Sequence, residues 1–252
     1  MTEKDRVVIC CGTTDDKGKR MNETGSKKRC ILVCAGDMEI AEIPVRDGDR
    51  VVAVDGGYLY CQALGIEPDV LIGDFDSLGE LQEQPGESFR DATAAHTANG
   101  EENTAKKRII RLDPVKDDTD TLAALRYGLE QGYEEFHLYC ALGGRLEHTI
   151  ANLQCLLFLK HAKAAGYLWD GNSMTTVIQN ESLTFRQEME GMLSVFAIGE
   201  RAEGVTEKGL KYLLEDATLT NDFPVGISNE FIGEKAVLSV KNGTLLVIVR
   251  WE

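Results

Sequence analysis

From residue 30 to about residue 170, short continuous apolar runs alternate with stretches of helical period. CILVCA (30–35), VVAV (51–54), VLI (70–72), RIIRL (108–112), FHLYCA (136–141) and GYLW (166–169) are strand-like. Two segments between them have a helical spacing. TDTLAALRYGLEQG (119–132) carries Leu122, Leu125 and Leu129 and ends on Gly132. EHTIANLQCLLFLKHAKAAG (147–166) carries Ile150, Leu153, Leu156, Leu157 and Leu159. Unbroken apolar strands alternating with helices predict a parallel sheet covered on both faces. After about residue 172 the helical period stops. TTVIQN, SLTFRQ, MLSVFAIG, GLKYLL, ATLTN, AVLSVKNG and TLLVIVRW are short, β-rich and separated by turn residues. KNGT (241–244) carries the signal of a hairpin between the last two runs.

The pattern therefore predicts an α/β fold class: an N-terminal parallel-sheet α/β domain over 28–172, followed by a smaller all-β, sandwich-like domain over 173–252. Residues 1–27 are expected to form a flexible extension, within which VVICCG (7–12) is a candidate extra strand and Met21 an alternative start. Residues 79–106, GELQEQPGESFRDATAAHTANGEENTAK, are polar, lack a useful period and are too long for an ordinary connection. They are expected to be a mobile insertion, with a short helix at its start.

Composition narrows the partners. The formal net charge is −15, which opposes binding to nucleic acid or to an anionic membrane surface. An anionic small substrate would need local positive charge, from a metal ion or from placed Lys and Arg. No run approaches the ~20 apolar residues of a membrane span, and residues 1–20 lack the apolar core of a secretory leader. The 7 cysteines form no CxxC pair and several sit in strand-like runs. They read as buried, reduced thiols of a cytoplasmic protein.

Polar clusters follow the apolar strands: AGD after CILVC, DGG after VVAV, GDFDS after VLI and ALGGR after FHLYC. In open parallel sheets, ligands gather at the strands' carboxyl ends. Asp74 and Asp76, at i and i+2, would project to one side of an extended segment about 7 Å apart. They suit either a hard cation held by oxygen ligands or a solvated Asx-type turn. In KDDTDT, Lys116 precedes Asp117, Asp118 and Asp120, and Asp117 and Asp120 would share a first helical turn. Capping and dipole complementarity explain one or two such acids, metal binding more of them. In GGRLEHT, Gly143 and Gly144 allow close backbone approach to a phosphate, and Arg145 offers a planar donor fork. Glu147 is a further candidate for a metal or hydroxyl, and His148 reads more readily as structural. The chain has no P-loop, no GxGxxG fingerprint, no kinase HRD and DFG pair, no GxSxG elbow and no HExxH. Acids, cations and glycine turns remain, a set suited to a metal-bound polyphosphate.

In order and spacing, VDGGYLYCQALGIEPDVLIGDFDSL, KDDTDTLAALRYGLEQG, ALGGRLEHTIANLQCL, WDGN and the long segment from GLKYLL to GTLLV resemble the thiamine pyrophosphokinase family, over roughly residues 28–250. The resemblance implies an enzyme that moves pyrophosphate from ATP to thiamine with Mg²⁺, and a homodimer with thiamine at the subunit interface. It implies that Asp74, Asp76 and Asp120 are the metal-associated acids and, with Arg145, the catalytic set. Asp55, Gly56, Lys116, Asp117, Gly144 and Asn172 would serve the nucleotide, and Ser228 and Asn229 of GISNEF would meet thiamine. Glu147 stands where the family more often has Asp. Two other readings stay open: a non-catalytic thiamine- or nucleotide-binding protein, and a DxD-type nucleotide-sugar transferase.

Overall fold

The computed structural model describes residues 27–75, 90–91, 108–113 and 117–251. The expected extension through residue 26, Asp76, Lys116 and most of the 79–106 insertion lie outside the described residues. The described chain divides into two compact units, 27–171 and the part from Asn172 onward.

The first unit is a parallel sheet. Its strands are β1 (Arg29–Val33), β2 (Arg50–Val54), β3 (Val70–Gly73), β4 (Arg90–Asp91), β5 (Arg108–Arg111), β6 (Glu135–Tyr139) and β7 (Ala165–Asp170). They lie in the order β7-β6-β1-β2-β3-β5-β4, and each pairing among them is parallel. The apolar runs thus sit where their pattern put them. The exception is β4, a two-residue edge strand inside the insertion, where no apolar alternation announces it. The chain builds outward from β1 through β5, then returns to place β6 on the other side of β1. This reversal makes the β1–β6 gap the topological switch point.

Among the described residues, three helices pack on this sheet: α1 (Gly57–Ala63), α2 (Asp120–Glu130) and α3 (Leu146–His161). The buried stripe of α2 is Thr121, Ala124, Leu125 and Gly128, one residue off the leucine stripe expected from sequence. Small residues on that face let α2 approach β1, β2 and β3 closely. A Cβ on Gly128 would lie 2.5 Å from the Phe136 ring. Leu125, Leu156, Leu159 and Phe136 are fully shielded, each contributing about 1.5–3 kcal/mol by leaving water. No helix among the described residues is long and apolar enough to cross a membrane. Cys30, Cys34, Cys61, Cys140 and Cys155 are buried free thiols. Burial pushes Cys30, Cys34 and Cys61 up to about 12 and Cys140 and Cys155 up to about 11.

His137 sits inside the sheet with fixed chemistry on both ring nitrogens. Trp169 Nε1 donates to His137 Nδ1 at 2.9 Å, so Nε2 carries the proton and donates to Glu135 Oε1 at 2.8 Å. Burial holds the ring's pKa below its ordinary 6.5, although Glu135 opposes the shift. Above that value the ring is neutral in both folded and unfolded chains. Below it the unfolded chain binds a proton that the folded chain resists, so stability should fall as pH drops from 6.5. Melting curves between pH 7.5 and 5.5 should show this decline, and His137→Gln should flatten it; an unchanged slope would remove His137 as the cause.

The second unit is antiparallel throughout. One sheet runs β13 (Asn229–Glu230), β10 (Met192–Ala197), β15 (Thr244–Arg250), β8 (Ser173–Gln179). The other runs β12 (Leu214–Thr220), β11 (Arg201–Lys208), β14 (Ala236–Ser239), β9 (Ser182–Phe185). Alternate residues are buried, among them Leu183, Phe185, Leu193, Val195, Ala202, Val205, Leu238 and Val247, as expected of sheets wet on one face. Three expectations change. KNGT is not a hairpin: β14 pairs with β11 and β9, whereas β15 pairs with β10 and β8. The turn carries the chain from one sheet to the other, anchored by Asn180 Oδ1 accepting from Gly243 N at 2.9 Å. GLKYLL is mostly a connection, with Leu210 bridging to Phe231. RAEGVTEK, which lacks a clean apolar alternation, is β11, its register with β12 shifting between Ala202 and Glu207.

Candidate active site

The polar clusters after the strands form one rim of the parallel sheet. At the switch point the AGD and GGR loops are bonded directly. Gly36 N donates to Cys140 O at 2.7 Å and Asp37 N to Leu142 O at 2.8 Å. Gly144 N donates to the Asp37 carboxylate at 3.1 Å. Gly143 and Gly144 are both left-handed, with φ of 78° and 59°, and a Cβ on Gly143 would stand 2.0 Å from Asp37 Oδ2. Both backbone and space therefore require Gly143. Asn152 Nδ2 pins Ala141 O at 2.7 Å, and Thr149 Oγ1 donates to Gly143 O at 3.4 Å. Asp37, Thr149 and Asn152 hold the loop, yet nothing local in the sequence marks Asp37 or Asn152 as its partners.

Arg145 is the N-cap residue of α3, in extended conformation, and makes no side-chain cap. Its Nε donates to Glu147 Oε1 at 2.7 Å with side chains 72% and 66% exposed. A pair so open to water holds the guanidinium only weakly, leaving it able to turn to an anion at the helix N-terminus.

Next along the rim, Asp55 follows β2, and its N donates to Ile72 O at 2.8 Å. Gly56 caps α1 in ordinary helical conformation. Gly73 lies against Asp55, its Cβ position 3.0 Å from the Asp55 Cα. Asp74 is half-buried at the end of β3. Phe75 is buried with φ 62°, and Arg111 lies over its ring at 5.5 Å. Phe75 is therefore not extended; Asp76, and with it the expected same-side projection, lies outside the described residues. A bulky residue at positive φ is rare. Among the described residues of this unit, the left-handed non-glycine ones are Asp55, Phe75, Cys140 and Lys163. All but Lys163 sit on this rim, a concentration of strain typical of functional sites.

The second acidic cluster also shifts. Thr119 is the N-cap of α2, accepting from Leu122 N at 3.2 Å, so Asp117 precedes the helix and does not share its first turn with Asp120. Asp117 is exposed. Asp118 is ion-paired with Arg126. Asp120 opens α2, and its Oδ1, like that of Asp55, is shielded from solvent. Shielded carboxylate oxygens at a sheet rim suit a hard cation. Among the described residues no group of three metal-capable side chains comes together.

In the β unit, Asn172 lies in the exposed turn before β8 and accepts from Trp251 N at 3.0 Å. Ser228 is exposed and left-handed, φ 57°, with its N donating to Ser194 Oγ at 3.0 Å. Asn229 is 3% exposed. Its Nδ2 donates to Glu207 Oε2 at 2.5 Å and to Tyr212 O at 2.6 Å. Its Oδ1 accepts from Tyr212 N at 2.9 Å and Glu230 N at 3.0 Å. The amide's hydrogen-bonding capacity is spent inside the protein, so its expected contact with a ligand is not available through this side chain.

An α/β unit with polar loops gathered at a topological switch point, joined in one chain to an antiparallel β unit, defines the class as an α/β-plus-β architecture. The comparisons give the family. The model described as thiamin pyrophosphokinase, catalytic domain, matches residues 45–168, and that of the family's vitamin B1 binding domain matches 180–245. The chain belongs to the thiamin pyrophosphokinase family and is an enzyme. A thiamine pyrophosphokinase of Bacillus subtilis (strain 168) is 27% identical over 198 residues, covering 78% of this chain and 85% of the relative. The crystal structure of thiamine pyrophosphokinase from B. subtilis aligns with TM-score 0.74 at 24% identity, over 89% of this chain and 100% of that one. A thiamin pyrophosphokinase family protein from Enterococcus faecalis aligns with TM-score 0.70 at 25% identity, over 89% and 99%.

Proposed function

We propose that the protein transfers the pyrophosphoryl group of ATP to the hydroxyl of thiamine, giving thiamine diphosphate and AMP. The observation that carries this reading is the pairing, in one chain, of both family domains with a rim that gathers acids, a glycine turn and Arg145 at a topological switch point. The thiamine hydroxyl attacks the β-phosphorus in line and AMP leaves, so the protein's task is positioning and charge neutralisation.

Asp74 and Asp120, with Asp76, would hold Mg²⁺. When bound, the ion neutralises charge on the transferring phosphates. Arg145 would meet polyphosphate oxygens beside the N–H groups that open α3. Gly144, Asp55 and Gly56 would line the nucleotide's path, with Lys116, Asp117 and Asn172 as further contacts. Ser228 would meet thiamine. The domain limits 28–172 and 173–252, a cytoplasmic location and a homodimer with thiamine at the subunit interface belong to the same reading.

Purified protein with ATP, Mg²⁺ and thiamine should form AMP and thiamine diphosphate in equal amounts. Formation of ADP, or no AMP with any divalent metal, would overturn the proposal.

A further inference from the structure

Glu207 is the most deeply buried acid among the described residues of the β unit, at 1% exposure. It lies on β11, far in sequence from any candidate contact, and the expected site does not use it. Oε2 takes the Asn229 amide hydrogen at 2.5 Å, while Oε1 is shielded from solvent without a hydrogen-bond partner. Placing a carboxyl there is costly unless it does something an apolar residue could not. What it supplies is the acceptor for the last hydrogen of an amide otherwise committed to Tyr212 and Glu230.

That amide holds together a short stretch. On one side, segment 226–231 is tied to β10 by Val195 N to Gly226 O at 2.8 Å and by Ser228 N to Ser194 Oγ. On the other, Asn229 and Glu230 tie it to the 210–212 connection, with Lys211 N donating to Glu230 O at 3.0 Å. Ser228, between these anchors, is left-handed, a conformation that a serine keeps only when its neighbours impose it.

We infer that Glu207 is a positioning residue for the thiamine subsite: through the Asn229 amide it holds Ser228 in the conformation that meets the vitamin. This rests on the reading of Ser228 given above, and assigns Asn229 to the scaffold instead of the ligand. Burial pushes the Glu207 carboxyl above its ordinary value, against the Asn229 hydrogen bond, so a neutral glutamine is a fair replacement.

The test is steady-state kinetics with ATP and thiamine varied separately, alongside melting curves. Glu207→Ala should raise the KM for thiamine about tenfold, with kcat and the KM for ATP changed less than about twofold. Glu207→Gln, which keeps the acceptor, should restore the thiamine KM to within about twofold of the parent. Ser228→Ala should also raise the thiamine KM. If Ser228→Ala raises it but a folded Glu207→Ala does not, the inference fails and the site reading stands. If Ser228→Ala has no effect, the site reading fails and takes the inference with it. A parallel rise in both KM values would mark a merely structural role and overturn the inference. Should Glu207→Ala not fold, the size-conserving Asn229→Asp supplies the test. It opposes two carboxyls and should raise the thiamine KM, and adding Glu207→Gln should recover much of the loss. No recovery would overturn the pairing.

Discussion

Asp120→Asn is expected to lower kcat for thiamine diphosphate formation by about 10²–10³-fold while leaving the fold intact. The reason lies in where the residue stands. It opens α2, but the N-cap is Thr119, whose hydroxyl accepts from Leu122 N. Helix initiation therefore does not depend on the Asp120 carboxylate. Losing a first-turn acid costs only about 0.3–1 kcal/mol through the helix dipole. The carboxylate oxygen shielded from solvent is instead suited to a cation at the rim, and an amide oxygen is a weaker ligand without charge. Asp74→Asn should behave alike, since Asp74 follows β3 on the same rim. Initial rates and melting curves settle the matter together. A melting temperature that collapses, or a rate that stays within threefold of the parent, would return Asp120 to a structural role.

Gly57→Ala should destabilise the protein by about 3 kcal/mol or more, whereas Gly56→Ala should cost under about 1 kcal/mol. The two glycines are adjacent in DGG and indistinguishable by pattern. Gly56 has φ −56° and ψ −14°, which any residue adopts. A Cβ on Gly57 would fall 1.9 Å from the Val33 carbonyl oxygen and 2.9 Å from that of Cys34. Those atoms belong to the fully buried central strand β1 and its continuation, which cannot retreat without disturbing the sheet on both sides. Moving α1 away instead would displace Asp55 and Gly56 from the rim, so activity should fall with stability. Urea denaturation of both variants decides it. Equal midpoints would show that the close approach of α1 to β1 is not required.

Much of this architecture was legible along the chain because strand and helix periods are local. The apolar runs that became β1, β2, β3, β5, β6 and β7 and the leucine spacing of α2 and α3 needed no long-range information. The helix stripe was misplaced by one residue because Thr121, Ala124 and Gly128 are not apolar enough to announce themselves; their smallness matters only against a sheet. KNGT has hairpin chemistry, yet β14 and β15 belong to different sheets. A turn motif specifies how the chain bends and not which strand it joins afterward. Nor does local pattern announce that Phe75, between Asp74 and Asp76, is left-handed. The buried ion pair of Arg29 with Asp49, at 3.1 Å, had no marker at all.

The same division holds for the site. Local pattern established that polar clusters follow apolar strands, that acids, glycines and Arg145 form the reactive inventory, and that an all-β unit follows an α/β one. These depend on residue type and on neighbours a few positions away. Only the folded chain decided that Asp37 holds Gly144 across 107 positions of sequence, that Asp55, Phe75 and Cys140 share left-handed backbone on one rim, and that Asn229 serves Glu207 and Tyr212. Those outcomes follow from which strands lie side by side. That choice is made by the packing of the whole core and leaves no periodic trace in the residues it brings together.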